Sequence, residues 1–419
     1  MYASVDAVRS LDRALALAAT LPAGTVRDRT ELELVMAALV PLAIAEGYGS
    51  PRLHDRQQRG LELARALGVE PEPALLRSLA ISALSAGDFE RATQSAVRLQ
   101  ARGDRDADDV MLTESAYVLG VSAFWAGRLE EALHHLRAAV DRHRAEHRTT
   151  HLVRYGLDPE VVCLSRLGNT LWFLGHVSSA ARARDAALAL ADEIVHPSTA
   201  STARWFAALL ALELRDHDAV RASLEALLAR PRELEVKPIQ TGAQALAGYV
   251  EVLDGRWEAG LARMRAVLAD LGDAEPAPGH RSCILRLLAE ACAVAGDADG
   301  GLEATRLLLA TRAGAGLWQA EALRLRAAFA EAAETPESGV DVDLERALTV
   351  AREQGARSLE LRAAADLVRR RGDEAARRDL GAALAGLPEV DTTHDRREAE
   401  ALLERGTLGE RPPAHPPAP

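Results

Sequence analysis

Three histidines, His143, His147 and His151, recur at every fourth position. On one continuous helix that spacing stacks them on a single face, the geometry of a metal site. His134 and His135 lie one to two turns earlier. Thr149-Thr150 interrupts the helical pattern before His151, and no nearby carboxylate or cysteine completes a tetrahedral set. The histidines therefore read as solvated groups near a helix C-terminus, and no metal is expected. Cys163, Cys283 and Cys292 form no CxxC pair, and each sits in an apolar stretch, so they read as buried thiols. There is no GxSxG, HExxH or strand-borne GxGxxG, and the lone lysine, in Glu235-Val236-Lys237-Pro238, cannot serve a P-loop. The acidic run Asp104-Arg105-Asp106-Ala107-Asp108-Asp109 reads as a helix start with solvated charge. No catalytic residue, no cofactor and no enzyme activity are expected.

The elements that would position such groups are helices. Alanine, leucine, arginine and glutamate dominate 419 residues, and aromatics are only 4%. A hydrophobic content of 48% suffices for a continuous core. The net charge of −12 argues against direct nucleic-acid binding and against anionic membranes. No apolar run reaches the roughly 18 residues of a membrane span. The apolar stretch Ala14 to Ala23 follows Asp12-Arg13 without a basic lead and reads as an amphipathic helix rather than a signal peptide. A cytoplasmic protein is expected.

A recurring turn decides the fold class. It reads Gly87-Asp88-Phe89-Glu90-Arg91-Ala92 and Gly127-Arg128-Leu129-Glu130-Glu131-Ala132. It returns from Gly175, Gly255 and Gly296, with a weaker copy at Arg215-Asp216 and a last one at Gly372-Asp373. Successive turns from Gly87 to Gly296 are 40, 48, 40, 40 and 41 residues apart. The longer gap to Gly372 fits two units with a degraded turn near Pro336. A fixed period of this size marks a solenoid. Seven residues before each turn stands a small residue: Ala80, Gly120, Gly168, Ala208, Gly248, Ala289. Twelve after it stands a packing one: Leu99, Ala139, Ala187, Leu227, Val267, Leu308. Ser50-Pro51, Asp158-Pro159 and His196-Pro197 mark helix starts.

This register resembles the tetratricopeptide repeat with lengthened helices. It predicts an all-α, right-handed superhelix of about ten antiparallel helix pairs over residues 1–405, followed by a disordered Pro-rich tail, 406–419. The segments 101–108, 147–158, 230–238, 272–280 and 334–342 read as inter-repeat connections. The segment Arg154-Tyr155-Gly156-Leu157-Asp158-Pro159-Glu160-Val161-Val162-Cys163-Leu164-Ser165, with Leu171-Trp172-Phe173-Leu174-Gly175, also resembles the C-terminal repeat region of large bacterial signalling ATPases. These are cyclase–ATPase fusions and ATP-binding transcriptional regulators of the LuxR and SARP types. Ala356 to Ala364 and Asp391 to Asp395 carry the same likeness. The resemblance implies a regulatory binding module without the ATPase and output domains. Its partner would be a protein, a peptide or a small effector; a free-standing scaffold is the first alternative, and an enzyme with an unrecognised groove site the second. Carrying the tetratricopeptide register over places Tyr117, Phe124, Trp125, Asn169, Trp172 and Trp205 in the concave groove, with Arg154 and Asp158 at its rim. As a recognition groove, it should leave these ring faces open to solvent.

Overall fold

The structure, a computed structural model, describes residues 2–230, 236–271, 277–311, 316–333, 339–390 and 392–407. The Pro-rich tail beyond 407 and the expected turn at Pro336 lie outside the described residues. Among the described residues there are twenty-one α-helices and no strand. The first seven are α1 (Tyr2–Ala18), α2 (Thr25–Glu46), α3 (Pro51–Leu67), α4 (Pro73–Ser85), α5 (Phe89–Asp106), α6 (Asp109–Trp125) and α7 (Leu129–Arg142). The next seven are α8 (Arg148–Tyr155), α9 (Pro159–Phe173), α10 (Val177–Ile194), α11 (Pro197–Glu213), α12 (His217–Leu228), α13 (Lys237–Leu253) and α14 (Trp257–Leu271). The last seven are α15 (His280–Ala295), α16 (Ala298–Ala310), α17 (Gln319–Ala332), α18 (Val340–Gln354), α19 (Arg357–Arg371), α20 (Glu374–Ala385) and α21 (His394–Thr407). They form a tetratricopeptide-like solenoid of helix pairs, from α2–α3 through α19–α20. No described helix is long and apolar enough to cross a membrane.

The turn register sets the pairing. Gly87, Gly127, Gly175, Gly255, Gly296 and Gly372 all have φ between 62° and 86°, the left-handed region that glycine enters without a Cβ clash. In most of these turns the following amide bonds back to a carbonyl of the preceding helix, as Asp88 N–H to Ala83 O at 2.8 Å and His176 N–H to Leu171 O at 2.8 Å. The weaker copy keeps the same conformation: Arg215 has φ 55°, and its guanidinium reaches Asp395 at 3.1 Å.

Small residues bring the two helices of a pair together. A Cβ on Gly248 would lie 2.8 Å from the Gly260 carbonyl, and one on Gly168 would lie 3.2 Å from that of Ala180. Ala80, Ala132, Ala180, Ala208 and Ala289 are fully buried. Of the packing positions after the turn, Val267 alone is only partly covered.

The two helices of a pair bury different amounts of surface. All but one of the thirteen residues of α4 are buried, and so are fifteen of the seventeen of α11. In α10 only Ala180, Ala187 and Ala191 are. A helix covered on all sides lies inside a body, whereas a single stripe marks an outer one. The first helices therefore form the interior. What covers them is the chain itself. Leu317 N–H bonds to the Trp125 carbonyl at 3.2 Å, and the Ser358 hydroxyl bonds to the Trp172 carbonyl at 2.5 Å. Glu389 accepts from the Ser178 amide at 2.7 Å and from the Ser179 hydroxyl at 2.5 Å. The last repeats thus dock on the turns of the middle ones, and α2 meets α13 across the superhelix.

Two expected connections are helical over most of their length. Residues 101–106 complete α5, and 148–155 form α8, an extra helix within the longest repeat interval. Pro51, Pro159 and Pro197 open helices as expected, with Ser50 and Asp158 as side-chain caps. His196 also caps, accepting from Thr199 N–H at 3.4 Å.

Ala132→Leu and Ala180→Leu should each overpack a close helix contact and cost about 1–3 kcal/mol. In a solenoid the damage stays near the altered pair. Thermal unfolding checks this, with an unchanged Tm for both variants contradicting the register.

Candidate functional site

The rings expected in an open groove are enclosed. Tyr117, Phe124, Trp125, Trp172 and Trp205 are each no more than 3% exposed. The expectation of open ring faces does not hold, because the docked C-terminal repeats and α2 close the concave side. Phe124 packs edge-on against Trp125, Phe173 and Phe206. Trp172 stacks under the Arg362 guanidinium, 4.9 Å from its ring centre. Asn169 spends its amide on the Ser165 and Phe206 carbonyls, at 3.2 and 3.1 Å. Asp158 is fully buried and caps α9 through Val161 N–H, while Arg148 donates to it at 2.8 Å. Arg154 is the one open member, half-exposed beside Glu72.

Three of these rings nevertheless share a site. Tyr117, Trp125 and Trp205 line a partly open cavity of about 80 Å³. Val40, Ala43 and Ile44 of α2 close one side, and Phe206 of α11, Ile239 of α13 and Cys283 of α15 supply further apolar wall. Gly279, at φ 68°, lies on the face of Trp125, where a Cβ would enter the ring.

The polar groups in this wall are few and incompletely bonded. Trp125 Nε1, Tyr155 Oη, Arg166 Nε and His280 Nε2 are buried without a hydrogen-bond partner in the protein, and all four residues line the cavity. Such groups are rare in folded proteins and each carries a desolvation cost. Burial pushes His280 down to about 4, opposed by its bond to the Pro238 carbonyl. The ring is therefore neutral at pH 7, with one nitrogen able to accept. Burial pushes the Tyr155 phenol up, so it stays protonated and can donate. The Arg166 guanidinium lies over the Phe206 ring at 4.4 Å and beside Tyr117 at 5.8 Å.

Tyr117 also faces Arg77, at 5.1 Å. Arg77 is satisfied by Glu114 at 3.2 Å and by the Tyr48 hydroxyl at 3.0 Å. The other Glu114 oxygen holds His151 Nδ1 at 2.7 Å. The histidine series is thus split: α7 ends at Arg142, His147 closes a short 3-10 turn, and His151 sits in α8. His143 does have carboxylates near it, contrary to the sequence reading. Its Nδ1 is 3.1 Å from Glu160 and its Nε2 is 3.6 Å from Asp158. These acids come from the start of α9, beyond α8, and Arg148 pairs with both at 2.8 and 3.0 Å. A bonded guanidinium stands where a cation would have to bind.

A second group of charges surrounds Glu213. Burial pushes this acid up to about 7 against the pull of Arg286 and Arg362. Burial would also raise Asp395, but Arg362 and Arg215 hold it well below the usual carboxylate range. The crevice beside them measures about 10 Å³, room for one water at most. These shifted groups lie outside the larger cavity and serve the fold.

No family model matches the chain, and no curated protein sequence is significantly similar to it. Its trace is similar to that of a Rap protein solved in complex with competence and sporulation factor. There the TM-score is 0.56 at 12% identity, covering 90% of this chain and 99% of that one. The shared feature is the helical-repeat fold. Human IFIT1, solved as a dimer with PPP-AAAA, aligns at TM-score 0.44 and 15% identity over 97% of this chain and 86% of its own. Yeast Tom70 aligns at 0.40 and 10% over 97% and 96%.

Sequence reasoning reached three of the cavity's rings but missed Arg166, Tyr155 and His280. Arg166 carried a usable signal, as the only charge between Val161 and Phe173 in an apolar helix. His280 carried none: it stacks at 5.2 Å on Trp205, which is distant in sequence.

Trp257 is 51% exposed, while Trp125, Trp172, Trp205 and Trp318 are buried. Acrylamide should therefore quench one tryptophan of the five. Trp172→Ala should destabilise by about 3–5 kcal/mol. Quenching of three or more tryptophans in the folded protein would contradict the enclosed interior.

Proposed function

We propose that this chain is a sensor module that takes an effector into this cavity, in the service of a bacterial signalling or transcriptional regulator. The observation that carries this reading is the convergence of four partnerless polar atoms on one largely apolar cavity. Ligand sites have this composition: apolar walls give affinity, and a few polar groups set orientation. The reading assigns the chain no catalysis of its own. The Rap structure joins the same fold to a bound factor, which agrees with a sensor role for such a solenoid.

Trp125 supplies a route for the signal. Its indole lines the cavity, and its carbonyl accepts from Leu317 at the start of the docked C-terminal repeats. An occupant that shifts Trp125 therefore bears directly on that docking. A free-standing scaffold is less well supported, because the concave side it would use is covered by the chain's own last repeats. Among the described Phe, Tyr and Trp side chains only Trp257 is largely exposed.

Thermal shift against a panel of small metabolites and short peptides tests the reading. A ligand of the folded state raises Tm by mass action, by about 2.7 kcal/mol of stability at a hundredfold excess over Kd. Thr202, which lines the cavity, provides the control: Thr202→Phe fills the space and should abolish the shift. Equal shifts in both proteins, or none in either, would contradict an effector in this cavity.

A further inference from the structure

We infer that the occupant of the cavity is a small monoanion, a carboxylate on a compact apolar body, with the carboxylate bound by Arg166. This rests on the cavity being the effector site and specifies its chemistry. Five arginines among the described residues are buried: Arg77, Arg166, Arg204, Arg286 and Arg362. Four have carboxylate partners. Arg77 has Glu114, Arg204 has Asp192 at 2.5 Å, Arg286 has Glu213 and Glu290, and Arg362 has Glu213 and Asp395.

Arg166 has none. Its one hydrogen bond is a long one, 3.4 Å, to the Val162 carbonyl of its own helix, and its Nε has no partner. The rings of Phe206 and Tyr117 cover guanidinium faces but cannot neutralise the charge or accept its in-plane N–H groups. Glu114 is already held by Arg77 and His151. A guanidinium keeps its charge in proteins, and its planar fork matches a carboxylate. The residue that chain packing leaves uncompensated therefore lines this cavity, and the ligand must bring the missing negative charge.

The other orphan groups narrow the class. Trp125 Nε1–H and the Tyr155 hydroxyl are further donors suited to an acceptor-rich head. Neutral His280 offers one acceptor, matched by a hydroxyl or amide N–H on the ligand. The cavity offers a single unpaired cation among aromatic and aliphatic walls, which suits one carboxylate better than a phosphate dianion. A cavity of about 150 Å³ accepts benzene, so 80 Å³ calls for a body of about that size or smaller.

The test is titration of the full chain, carrying Trp257→Phe to remove the exposed fluorophore, with phenylacetate and hexanoate. Phenylacetamide and hexanamide are the uncharged controls. N-acetylglycyl-phenylalanine, with a free or an amidated C-terminus, probes a peptide end as source of the same carboxylate. Tryptophan fluorescence and calorimetry read the binding. We expect acids to bind at least about tenfold more tightly than their amides. Arg166→Gln should erase that ratio, Arg166→Lys should keep part of it, and Thr202→Phe should abolish binding of both. Tighter binding of the dipeptide acid than of phenylacetate supports the assignment with a peptide end as the source. Equal binding of acids and amides, both lost in Thr202→Phe, overturns the carboxylate while leaving the cavity as the site. Absence of saturable binding by any probe, or binding unaffected by Thr202→Phe, overturns both. If Arg166→Gln does not fold, the acid-to-amide ratio of the parent and of Arg166→Lys decides.

Discussion

Arg362 reaches Glu213 at 3.2 Å, Asp395 at 2.7 Å and the Glu213 carbonyl at 2.7 Å, with its face on Trp172. One guanidinium thus ties α9, α11, α19 and α21 together. Glu213 also takes Arg286 of α15 at 3.0 Å, and Glu321 of α17 lies 3.5 Å from Arg362. Charges this deeply buried are tolerated only when every partner is in place. Removing one typically costs about 3–5 kcal/mol, because it leaves the other stranded. The cluster therefore specifies one way for the superhelix to meet itself. The docking of Leu317 on Trp125 and of Glu389 on Ser178 and Ser179 follows the same closure.

Closure changes what the first helices must be. In an open solenoid their concave face meets water and carries polar residues. Here α4 and α11 are buried nearly all round, and the polar groups they keep need partners inside the protein. Most find them, as Arg77 does with Glu114 and Arg204 with Asp192. Arg166 beside the cavity reaches no carboxylate, and that contrast separates the structural ionic pairs from the proposed binding group. Both kinds of group are buried and charged, so burial alone would not have told them apart.

The parts of this architecture carried by local chemistry were legible in the sequence. A turn glycine, the small residue seven positions before it and the helix-opening prolines act within one repeat, and each stands where the register put it. Even Arg215 in the weak copy of the turn adopts the glycine conformation. Long-range closure was not legible, because it depends on how far a small rotation per repeat accumulates. A register carried over from an open repeat therefore named Trp125, Trp172 and Trp205 as rings but misjudged their exposure. The same limit hid the acids beside His143, which α9 supplies after the inserted α8 turns the chain back. Arg166 lay between the two cases: its oddity in an apolar helix was visible, but only the completed packing shows that no acid reaches it.

Self-closure is the claim on which the cavity, the buried rings and the signal route all depend. Its most direct test is intramolecular cross-linking between the middle and last repeats. Ser179 and Glu389 are in contact across the closure, and the three native cysteines are buried. A Ser179→Cys, Glu389→Cys double variant, treated at high dilution with a short bismaleimide, should form a monomeric product bridged once, as read by intact mass and peptide mapping. Modification of the two cysteines separately, with no bridge in the folded monomer, would contradict the account and return the concave face to solvent.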